Sequence, residues 1–413
     1  MKLSKTHIEK IKSQLRDLES KQDLVTLINA VNQMLYGENC EHLKLKKFAY
    51  YCNPKFSKKR YTSFSVPKKN GGERQIHAPV NGLKHILKPL NLILNTIAEP
   101  HFKATGFVPG KSIVDNAKQH VGKHYVYNTD LKNFFHSFDR QWVKYGFMTE
   151  PFGLGKEREE LAFLLASLCT HPFEVDGEMK TVLPMGAPTS PTITNILCVK
   201  LDRRLNGLAK RFKITYSRYA DDITFSSQTN VFKKAEFKNE LNRIIVEYQK
   251  PQKLAVNEKK TRLQKAGFRQ EVTGLTVNEK VNVNRRYIKQ LRNWLYLWER
   301  YGYAKAKEKF RKDYDHNERG RGYVKKSKPD FAQVLSGKLM FLKMVKGEQD
   351  STYRKLKKRF DKLSGNPNLS KVIKAWEDNG IEEAMSIFET GNEDEKSEDP
   401  FAVSKRIDID KIL

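Results

Sequence analysis

The residues best suited to chemistry are two adjacent aspartates, Asp221 and Asp222, in the sequence Tyr219-Ala-Asp-Asp222. They lie between two runs rich in β-branched and aromatic residues, 214–218 and 223–226, which predicts a β-hairpin with both carboxylates at its tip. Adjacent carboxylates repel each other and lose solvation in a cleft, and a bound divalent cation relieves both costs. Such oxygen ligands suit Mg²⁺, although the pair alone is more typical of a solvated turn.

A third carboxylate, Asp130, ends a strand-like run that begins at His124. By itself, an aspartate in this position is more typical of a cap for the following helix. At the end of a strand in a central sheet, however, it can meet a neighbouring hairpin. Three such carboxylates can hold two Mg²⁺ ions about 4 Å apart, one activating an attacking hydroxyl and one stabilising a leaving pyrophosphate. The three aspartates therefore predict a site for phosphoryl transfer.

Two further segments could surround this site. Lys68, Lys69 and Arg74 flank the turn Asn70-Gly-Gly72, which requires positive φ and predicts a basic β-hairpin. An arginine there can bind a triphosphate with two hydrogen bonds, although a solvated hairpin fits the sequence equally well. The loop Gly186-Ala-Pro188 precedes a predicted helix that has Ser190 as its N-cap, Pro191 in its first turn and an apolar face reaching Leu205. The small residues of the loop would let a flat base pair approach. An ordinary loop before a helix is the alternative interpretation.

The composition indicates a polyanionic partner. The chain has 413 residues, with 77 lysines and arginines against 48 acidic residues and a net charge of +29, which favours nucleic acid as the partner. The four cysteines show no metal-binding spacing and are expected to be reduced, mostly buried thiols of a cytosolic protein. No run approaches the roughly 18 apolar residues of a membrane span, so we expect a cytoplasmic protein without a membrane partner.

The elements around the site are expected to change character along the chain. Apolar residues at helical spacing predict two helices within residues 1–37 and another over 83–97. Beyond residue 284 the chain becomes helical and basic, and interleaved aromatic residues suit backbone neutralisation with base stacking (Arg285, Arg286, Tyr287, Trp294, Tyr296 and Trp298). Residues 389–399 are acidic and predict a flexible linker. The last residues, 401–413, are either a docking segment or an untethered tail.

Taken in order, these motifs resemble those of reverse transcriptases over residues 40–360. The series comprises the hairpin with Arg74, Asp130 with Phe134-Phe135, Gly186-Ala-Pro-Thr-Ser-Pro191, Tyr219-Ala-Asp-Asp222, and Asn257 with Lys260-Thr261. Asn116-Ala-Lys-Gln-His120 is similar to the N-A-x-x-H signature of retron reverse transcriptases, and Val272-Thr-Gly274 to their V-T-G signature. Met185 stands where many relatives carry glutamine, which leaves open how this loop contacts the templating pair.

The resemblance implies an α+β fold of the right-hand polymerase type, with fingers, a palm of antiparallel sheet plus helices, a helical thumb and a short C-terminal extension. The implied boundaries are an N-terminal helical region at 1–60, fingers with part of the palm at 61–125, and palm at 126–280. A basic helical thumb would follow at 281–365. The C-terminal extension with its acidic linker would occupy 366–413.

The resemblance also implies residue roles. Asp130, Asp221 and Asp222 would be the catalytic residues and, with the backbone carbonyl of Leu131, the ligands of two Mg²⁺ ions. Phe135 would exclude a ribose 2′-OH, and Lys260 would lie near the leaving pyrophosphate as a possible acid. The implied nucleotide-binding set is Lys68, Arg74, Phe135, Gly186 and Lys260. The implied RNA-binding set is Asn116, Ala117, His120, Val272, Thr273, Gly274, Arg285 and Arg286.

The implied activity is RNA-directed DNA synthesis on a cognate structured non-coding RNA of the msr-msd type, primed by the 2′-OH of a guanosine. The product would be branched multicopy single-stranded DNA joined to RNA, and its role antiphage defence with a separate effector protein. Because no RNase H segment is evident, a host RNase H would remove the template. Two alternatives remain: a group II intron-like or other defence reverse transcriptase with a 3′-OH primer, and a catalytically idle RNA-binding scaffold. An RNA-dependent RNA polymerase is disfavoured by Phe135.

Overall fold

A computed structural model of the chain describes residues 3–68, 71–248, 254–316 and 330–365. These described residues divide into two compact units, the first made of those up to 285 with 315–316 and the second of 286–314 with 330–365. The fold is α+β, as expected from the sequence, and its sheets are antiparallel. Several sequence-based expectations lie outside the described residues: Lys69 and Asn70, and the C-terminal extension with its acidic linker. The finer division into fingers, palm and thumb stays a prediction.

The first unit begins with helices α1 (Lys5–Arg16) and α2 (Lys21–Tyr36), which confirm the two predicted helices. Ser20 caps α2 in a capping box with Asp23, so the backbone donors at its start are satisfied. Helices α3 (Leu45–Cys52) and α4 (Asn81–Ile97) complete this region, and α4 matches the predicted helix at 83–97. Their apolar faces are buried in one continuous core.

Between α3 and α4 lies the predicted basic hairpin, formed by β1 (Tyr61–Pro67) and β2 (Glu73–Pro79). Its connection is closed by a hydrogen bond from the Lys68 N–H to the Gly72 carbonyl of 2.9 Å. Gly71 and Gly72 have φ of +83° and +76°, a region that glycine adopts without strain. The turn therefore forms for the reason the sequence suggested.

The central sheet has four antiparallel strands in the order β6-β7-β3-β8. They are β3 (Tyr125–Asp130), β6 (Thr215–Tyr219), β7 (Asp222–Ser227) and β8 (Arg262–Lys265). Strands β6 and β7 form the predicted hairpin, and β3 pairs with β7 along its whole length. The end of β3 is thereby brought beside the hairpin tip.

Helices pack around this sheet. They are α6 (Arg140–Met148), α7 (Glu159–Cys169), α8 (Ser190–Leu197), α9 (Val199–Arg211) and α10 (Ala235–Val246). The sequence suggested one helix running from Ser190 through Leu205, with Ser190 as its cap. Instead Thr189 occupies the cap position and the helix is interrupted at Cys198. The Ser190 hydroxyl donates to the Pro184 carbonyl at 2.8 Å, so it ties the preceding loop to the helix instead of capping it.

Smaller elements contain the two signature motifs. The short helix α5 (Ile113–Lys118) follows β2 and α4 in the chain, and β9 (Glu271–Val272) and β10 (Leu275–Thr276) form a two-residue hairpin. A second hairpin, β4 (His171–Val175) with β5 (Glu178–Val182), was not predicted from the sequence.

Cys52, Cys169 and Cys198 are buried and all four cysteines are free, as expected. None of the helices in the described part of the chain has the length and apolarity that crossing a membrane requires.

The second unit contains most of α11 (Arg285–His316), which is broken at Gly302, together with α12 (Phe331–Lys346) and α13 (Ser351–Ser364). Trp294 and Trp298 were expected to stack on bases, but both are buried in the core of this unit. Trp294 packs edge-on against Phe310 at 5.1 Å, and Trp298 packs against Phe331 at 5.6 Å. Only side chains on the outer face remain available to a ligand; Tyr296 is half exposed.

Candidate active site

The sheet brings together three aspartates that are far apart in the sequence. Asp130, the last residue of β3, is the direct partner of Asp222, the first residue of β7. Residues opposite each other on antiparallel strands project to the same face with Cβ atoms about 4.5–5.5 Å apart. The Leu131 N–H donates to the carbonyl of Asp221 at 3.1 Å, so the hairpin tip is attached to the end of β3. The expected convergence of the three residues is therefore present in the backbone.

The turn between β6 and β7 consists of two residues, because Tyr219 pairs with Asp222. Ala220 has φ of +57°, a left-handed conformation that costs a residue with a Cβ roughly 1 kcal/mol. The neighbouring Gly106 leaves no room for a side chain, since a Cβ there would lie 2.4 Å from the Ala220 nitrogen. This tight turn places two consecutive aspartates at the end of the sheet where β3 also ends.

The local electrostatics disfavour three charged carboxylates. Burial raises the pKa of Asp221 well above its usual range, and the nearby carboxylates of Asp222 and Asp130 raise it further. The pKa of Asp222 is also raised, by burial and then by Asp130. Lys260 offsets part of this repulsion. Its Nζ lies 2.9 Å from both carboxylate oxygens of Asp130.

Asn257 also holds Asp130. Its side-chain amide donates to Oδ1 of Asp130 at 3.1 Å, and its backbone N–H donates to the Asp130 carbonyl at 2.7 Å. The Asn257 and Lys260 motif thus lies next to the aspartates, and Asp130 is held by both a cation and an amide. The sequence placed Lys260 near a leaving group, and that role stays a prediction.

The donor set fits a divalent cation. The three carboxylates supply hard oxygen ligands, and the pKa values of two of them are raised because negative charge is crowded there. The Lys260 ammonium, paired with Asp130, already lies where positive charge is favourable. In this conformation no three acidic, histidine or cysteine side chains of the described residues enclose an ion position. The carboxylate of Asp130 is engaged by Lys260 and Asn257 instead. Ion binding would therefore require Asp130 to exchange Lys260 for the metal.

Phe135 lies close to the turn, five residues after Asp130. It belongs to the 3₁₀ turn Phe134–Ser137, which follows Asn133 at φ +45°. Its ring centroid is 6.4 Å from that of Phe107, which in turn lies 6.3 Å from Tyr219. Phe107 was not singled out from the sequence. Its position after Gly106, in a loop rich in glycine and proline, was the available signal.

The residues expected to bind nucleotide differ in their exposure and packing. Lys68 and Arg74 are exposed at the β1–β2 hairpin, where a ligand could reach them. Gly186 has φ of +126° and packs against β2, since a Cβ there would lie 2.8 Å from the His77 carbonyl oxygen. The His77 N–H also donates to the Met185 carbonyl at 2.7 Å. The loop that contains Gly186 is thus seated on the basic hairpin.

The residues expected to bind RNA divide into buried and exposed groups. The side chains of Asn116, Ala117, His120 and Val272 are fully buried in the structure. They contact other protein groups, so a direct RNA contact through these four side chains does not fit this conformation. Thr273 is half buried and Gly274 exposed, at φ of +47° and +82°, and Arg285 and Arg286 are exposed. For those four the expected role stays a prediction.

A buried ion pair behind the turn was missed by sequence reasoning. Arg218 and Asp202 are both fully buried, and their side chains meet through two hydrogen bonds of 2.7 Å. Tyr216 donates to the same Asp202 carboxylate at 2.7 Å. The sequence signal that could have indicated this pair was an arginine at an inward-facing position of a predicted strand, directly before Tyr219. Only the fold shows that its partner comes from α9.

Comparison with known proteins gives consistent results. The family profile described as reverse transcriptase (RNA-dependent DNA polymerase) matches residues 66–283, just over half of the chain. The retron Mx65 reverse transcriptase of Myxococcus xanthus is 35% identical over 249 residues, covering 59% of this chain and 57% of that protein. The retron Ec86 reverse transcriptase of Escherichia coli is 34% identical over 239 residues, covering 56% of this chain and 68% of that protein.

The chain therefore spans little more than half the length of the Myxococcus relative. Among solved structures, a telomerase from Candida albicans in complex with a fragment of telomeric RNA matches with a TM-score of 0.38 and 12% identity. That match covers 80% of this chain and 66% of the telomerase chain, and its score is too low to support a conclusion.

Proposed function

We propose that this chain, which belongs to the family of retron reverse transcriptases, is an RNA-directed DNA polymerase. The observation that carries the proposal is the register of the central sheet, which pairs Asp130 with Asp222 and bonds Leu131 to Asp221. Three carboxylates thereby converge in a chain whose net charge is +29. An acidic site in a basic protein suits a substrate that brings both phosphates and cations.

Asp130, Asp221 and Asp222, with the carbonyl of Leu131, would hold the pair of Mg²⁺ ions. When bound, these ions would supply Lewis-acid stabilisation of the charge that develops during phosphoryl transfer. The raised pKa values of Asp221 and Asp222 support this assignment, because a cation relieves the burial and repulsion that cause them.

Arg74 and Lys68 would hold the incoming triphosphate from the β1–β2 hairpin. Both are exposed, and a guanidinium matches phosphate oxygens with two parallel hydrogen bonds. Phe135 would select deoxynucleotides by excluding a 2′-OH, supported by its position beside Phe107 near the turn. Lys260 would move from Asp130 towards the pyrophosphate as that group leaves.

The finer retron functions are part of the same proposal. The template would be a cognate structured non-coding RNA of the msr-msd type, primed from the 2′-OH of a guanosine to give branched single-stranded DNA. A host RNase H would trim the template, and a separate effector protein would act with the product in antiphage defence in the bacterial cytoplasm. These proposals are supported by the family of the chain and by its excess of basic residues.

The test is a labelling experiment with the purified full-length protein. The RNA encoded beside its gene is incubated with Mg²⁺ and labelled deoxynucleotides, and the product is treated with a debranching enzyme. We expect labelled DNA that shortens after debranching. The matched control is Asp222→Asn, which keeps the size of the side chain and removes its charge.

Each other outcome would change the proposal in a defined way. DNA joined to its primer by an ordinary 3′–5′ link would replace the retron-specific part with conventional priming. Equal synthesis by wild type and Asp222→Asn would overturn the active-site assignment. RNA binding without any DNA synthesis, across divalent cations and templates, would indicate an idle scaffold.

A further inference from the structure

The buried histidine of the N-A-x-x-H motif connects the two strands of the catalytic hairpin. Nδ1 of His120 lies 2.7 Å from the Ser226 hydroxyl, and Nε2 lies 2.7 Å from the Ser217 hydroxyl. Ser217 is on β6 and Ser226 is on β7, the strands that lead into and out of the turn with Asp221 and Asp222. The imidazole therefore links a side chain of β6 to a side chain of β7, two strands that also pair through their backbones.

The asparagine of the same motif holds a segment that runs beside β6. Oδ1 of Asn116 accepts a hydrogen bond of 2.7 Å from the Thr105 hydroxyl. The Thr105 N–H donates to the Arg218 carbonyl at 2.8 Å, and the Arg218 N–H donates to the Lys103 carbonyl at 3.0 Å. Residues 103–105 therefore extend the sheet for a short distance. The next residue, Gly106, lies against the turn itself, as its close approach to Ala220 shows.

Arg218 completes the connection to the turn from inside. Its guanidinium donates to the Ala220 carbonyl at 3.1 Å and to Oδ1 of Asn195 at 3.2 Å, besides its pair with Asp202. Asn195 donates in turn to the Gly106 carbonyl at 2.9 Å. The left-handed Ala220 is thus held by the guanidinium on one side and by the Gly106 segment on the other.

The V-T-G motif belongs to the same assembly. The Thr273 hydroxyl donates to the carbonyl of Ile113, the first residue of α5, at 3.2 Å. The Gly122 N–H, just after His120, donates to the Val277 carbonyl at 3.1 Å. The two signature motifs are therefore one packed unit, and most of it faces the protein interior.

We propose that the N-A-x-x-H motif is an internal brace that positions the catalytic aspartates. Asn116 and His120 act through Thr105, Ser217, Ser226 and Arg218, and the brace does not read RNA. This inference rests on the proposed polymerase function, because it assigns a positioning role to residues behind that site. It replaces RNA recognition as the expected role of Asn116 and His120, whose side chains are fully buried.

The chain contains a matched pair of residues that separates the two roles. Lys118, within the same motif, is exposed, whereas His120 is buried. If the motif positions the aspartates, a change at His120 should impair synthesis on every template and a change at Lys118 should not. If the motif reads the cognate RNA, Lys118 is the side chain that RNA can reach.

The experiment compares wild type, His120→Gln, His120→Leu and Lys118→Ala. Each is assayed on its cognate RNA and on an unrelated template, oligo(dT) annealed to poly(rA), over a range of Mg²⁺ concentrations. Affinity for the cognate RNA and the melting temperature are measured separately. Ser217→Ala and Ser226→Ala, each of which removes one bond to the imidazole, serve as milder variants if His120→Leu does not fold.

We expect His120→Leu to lower kcat on both templates by about 10- to 100-fold, since a misplacement near 1 Å can cost about that much. His120→Gln should retain part of the rate, and the Mg²⁺ concentration for half-maximal rate should rise in both. RNA affinity should stay within about twofold, as expected for a group with no RNA contact, and Lys118→Ala should match wild type on poly(rA).

Three results would overturn the proposal. The first is full activity of the His120 variants on poly(rA) with weakened cognate RNA binding. The second is a lower melting temperature of the His120 variants while kcat and the Mg²⁺ dependence, measured below that temperature, stay unchanged. That result would indicate a purely structural role. The third is equal loss in Lys118→Ala and His120→Leu. Failure of wild type on both templates would instead refute the polymerase function itself.

Discussion

The two sides of the β6–β7 hairpin differ in their electrostatics. On the open side, Asp130, Asp221 and Asp222 gather negative charge that the cations Lys260 and Arg262 offset only in part, and the pKa values of Asp221 and Asp222 are raised. On the buried side, Arg218 and Asp202 neutralise each other with both side chains fully enclosed. The comparison teaches that the protein leaves charge unbalanced at the proposed ion site and balances it fully where the Arg218 side chain holds the turn backbone.

The largest effect should come from the open side. Asp222→Asn should reduce primer extension by about 10³-fold or more, because charge stabilisation of the transition state is lost. The melting temperature in metal-free buffer should stay the same or rise, since repulsion with Asp130 is relieved. Extension assays and thermal unfolding measure the two quantities. A residual rate within tenfold of wild type would contradict the assignment.

On the buried side, Asp202→Asn should lower the free energy of unfolding by about 3–5 kcal/mol, because it leaves Arg218 buried without its counter-charge. Urea unfolding measures this change. The control is Glu236→Gln, which removes the partner of Arg211 from an exposed ion pair of 2.6 Å and should have no measurable effect. Equal effects of the two substitutions would mean that burial does not distinguish them.

Phe135→Ala tests whether an aromatic residue near the open side governs selectivity. Discrimination against ribonucleotides should fall by about 10- to 200-fold, the range that loss of a shape contact produces. The ratio of kcat/KM for matched deoxy- and ribonucleotides measures it. Phe134→Leu is the control, because Phe134 is buried in the core and should affect stability without affecting this ratio.

Because His120 is buried, the stability of the protein should depend on pH. Burial, together with the smaller effect of the positive charges of Lys103 and Lys123, lowers the pKa of His120 to about 3. Because the unfolded state takes up a proton near pH 6.5, the stabilisation from neutral His120 is complete above that pH. It is lost as pH falls from about 6.5 towards 3, at up to about 1.4 kcal/mol per pH unit. The difference in the free energy of unfolding between wild type and His120→Gln should therefore shrink as pH is lowered from 7 to 5.5 and 4, as measured by urea unfolding. If the two free energies changed in parallel with pH, this prediction would be contradicted.

The smallest effect should come from Lys260→Met. Lys260 is half exposed, so its pair with Asp130 is screened by solvent. Removing it should lower the Mg²⁺ concentration that half-saturates the thermal stabilisation of the protein by about two- to fivefold, the equivalent of an ion pair of up to roughly 1 kcal/mol. This readout does not require turnover. Lys259→Met, next to it and exposed, is the control and should leave the Mg²⁺ dependence unchanged.

The elements that depend on local signals were the ones that sequence patterns predicted well. Alternation around Asp221, the glycines of the 61–79 hairpin and the apolar spacing of α4 are local signals, and the structure contains all three elements. The segment 140–182 gave no prediction, because its helices and the β4–β5 hairpin depend on packing against the rest of the first unit. Trp294 and Trp298 were misjudged, because a basic aromatic sequence does not show which face of a helix turns inwards.

The sequence by itself determined which residues are available for chemistry: three aspartates, a basic hairpin, an aromatic residue after the first aspartate and a strongly basic chain, each a property of residue type and order. The tertiary structure alone decided which residues meet. The pairing of Asp130 with Asp222 depends on strand register, and the contacts of His120 with Ser217 and Ser226 join residues about a hundred positions apart. Long-range pairing is set by the packing of the whole chain, so no local pattern could have shown that the side chains of Asn116 and His120, expected to contact RNA, are buried behind the β6–β7 turn.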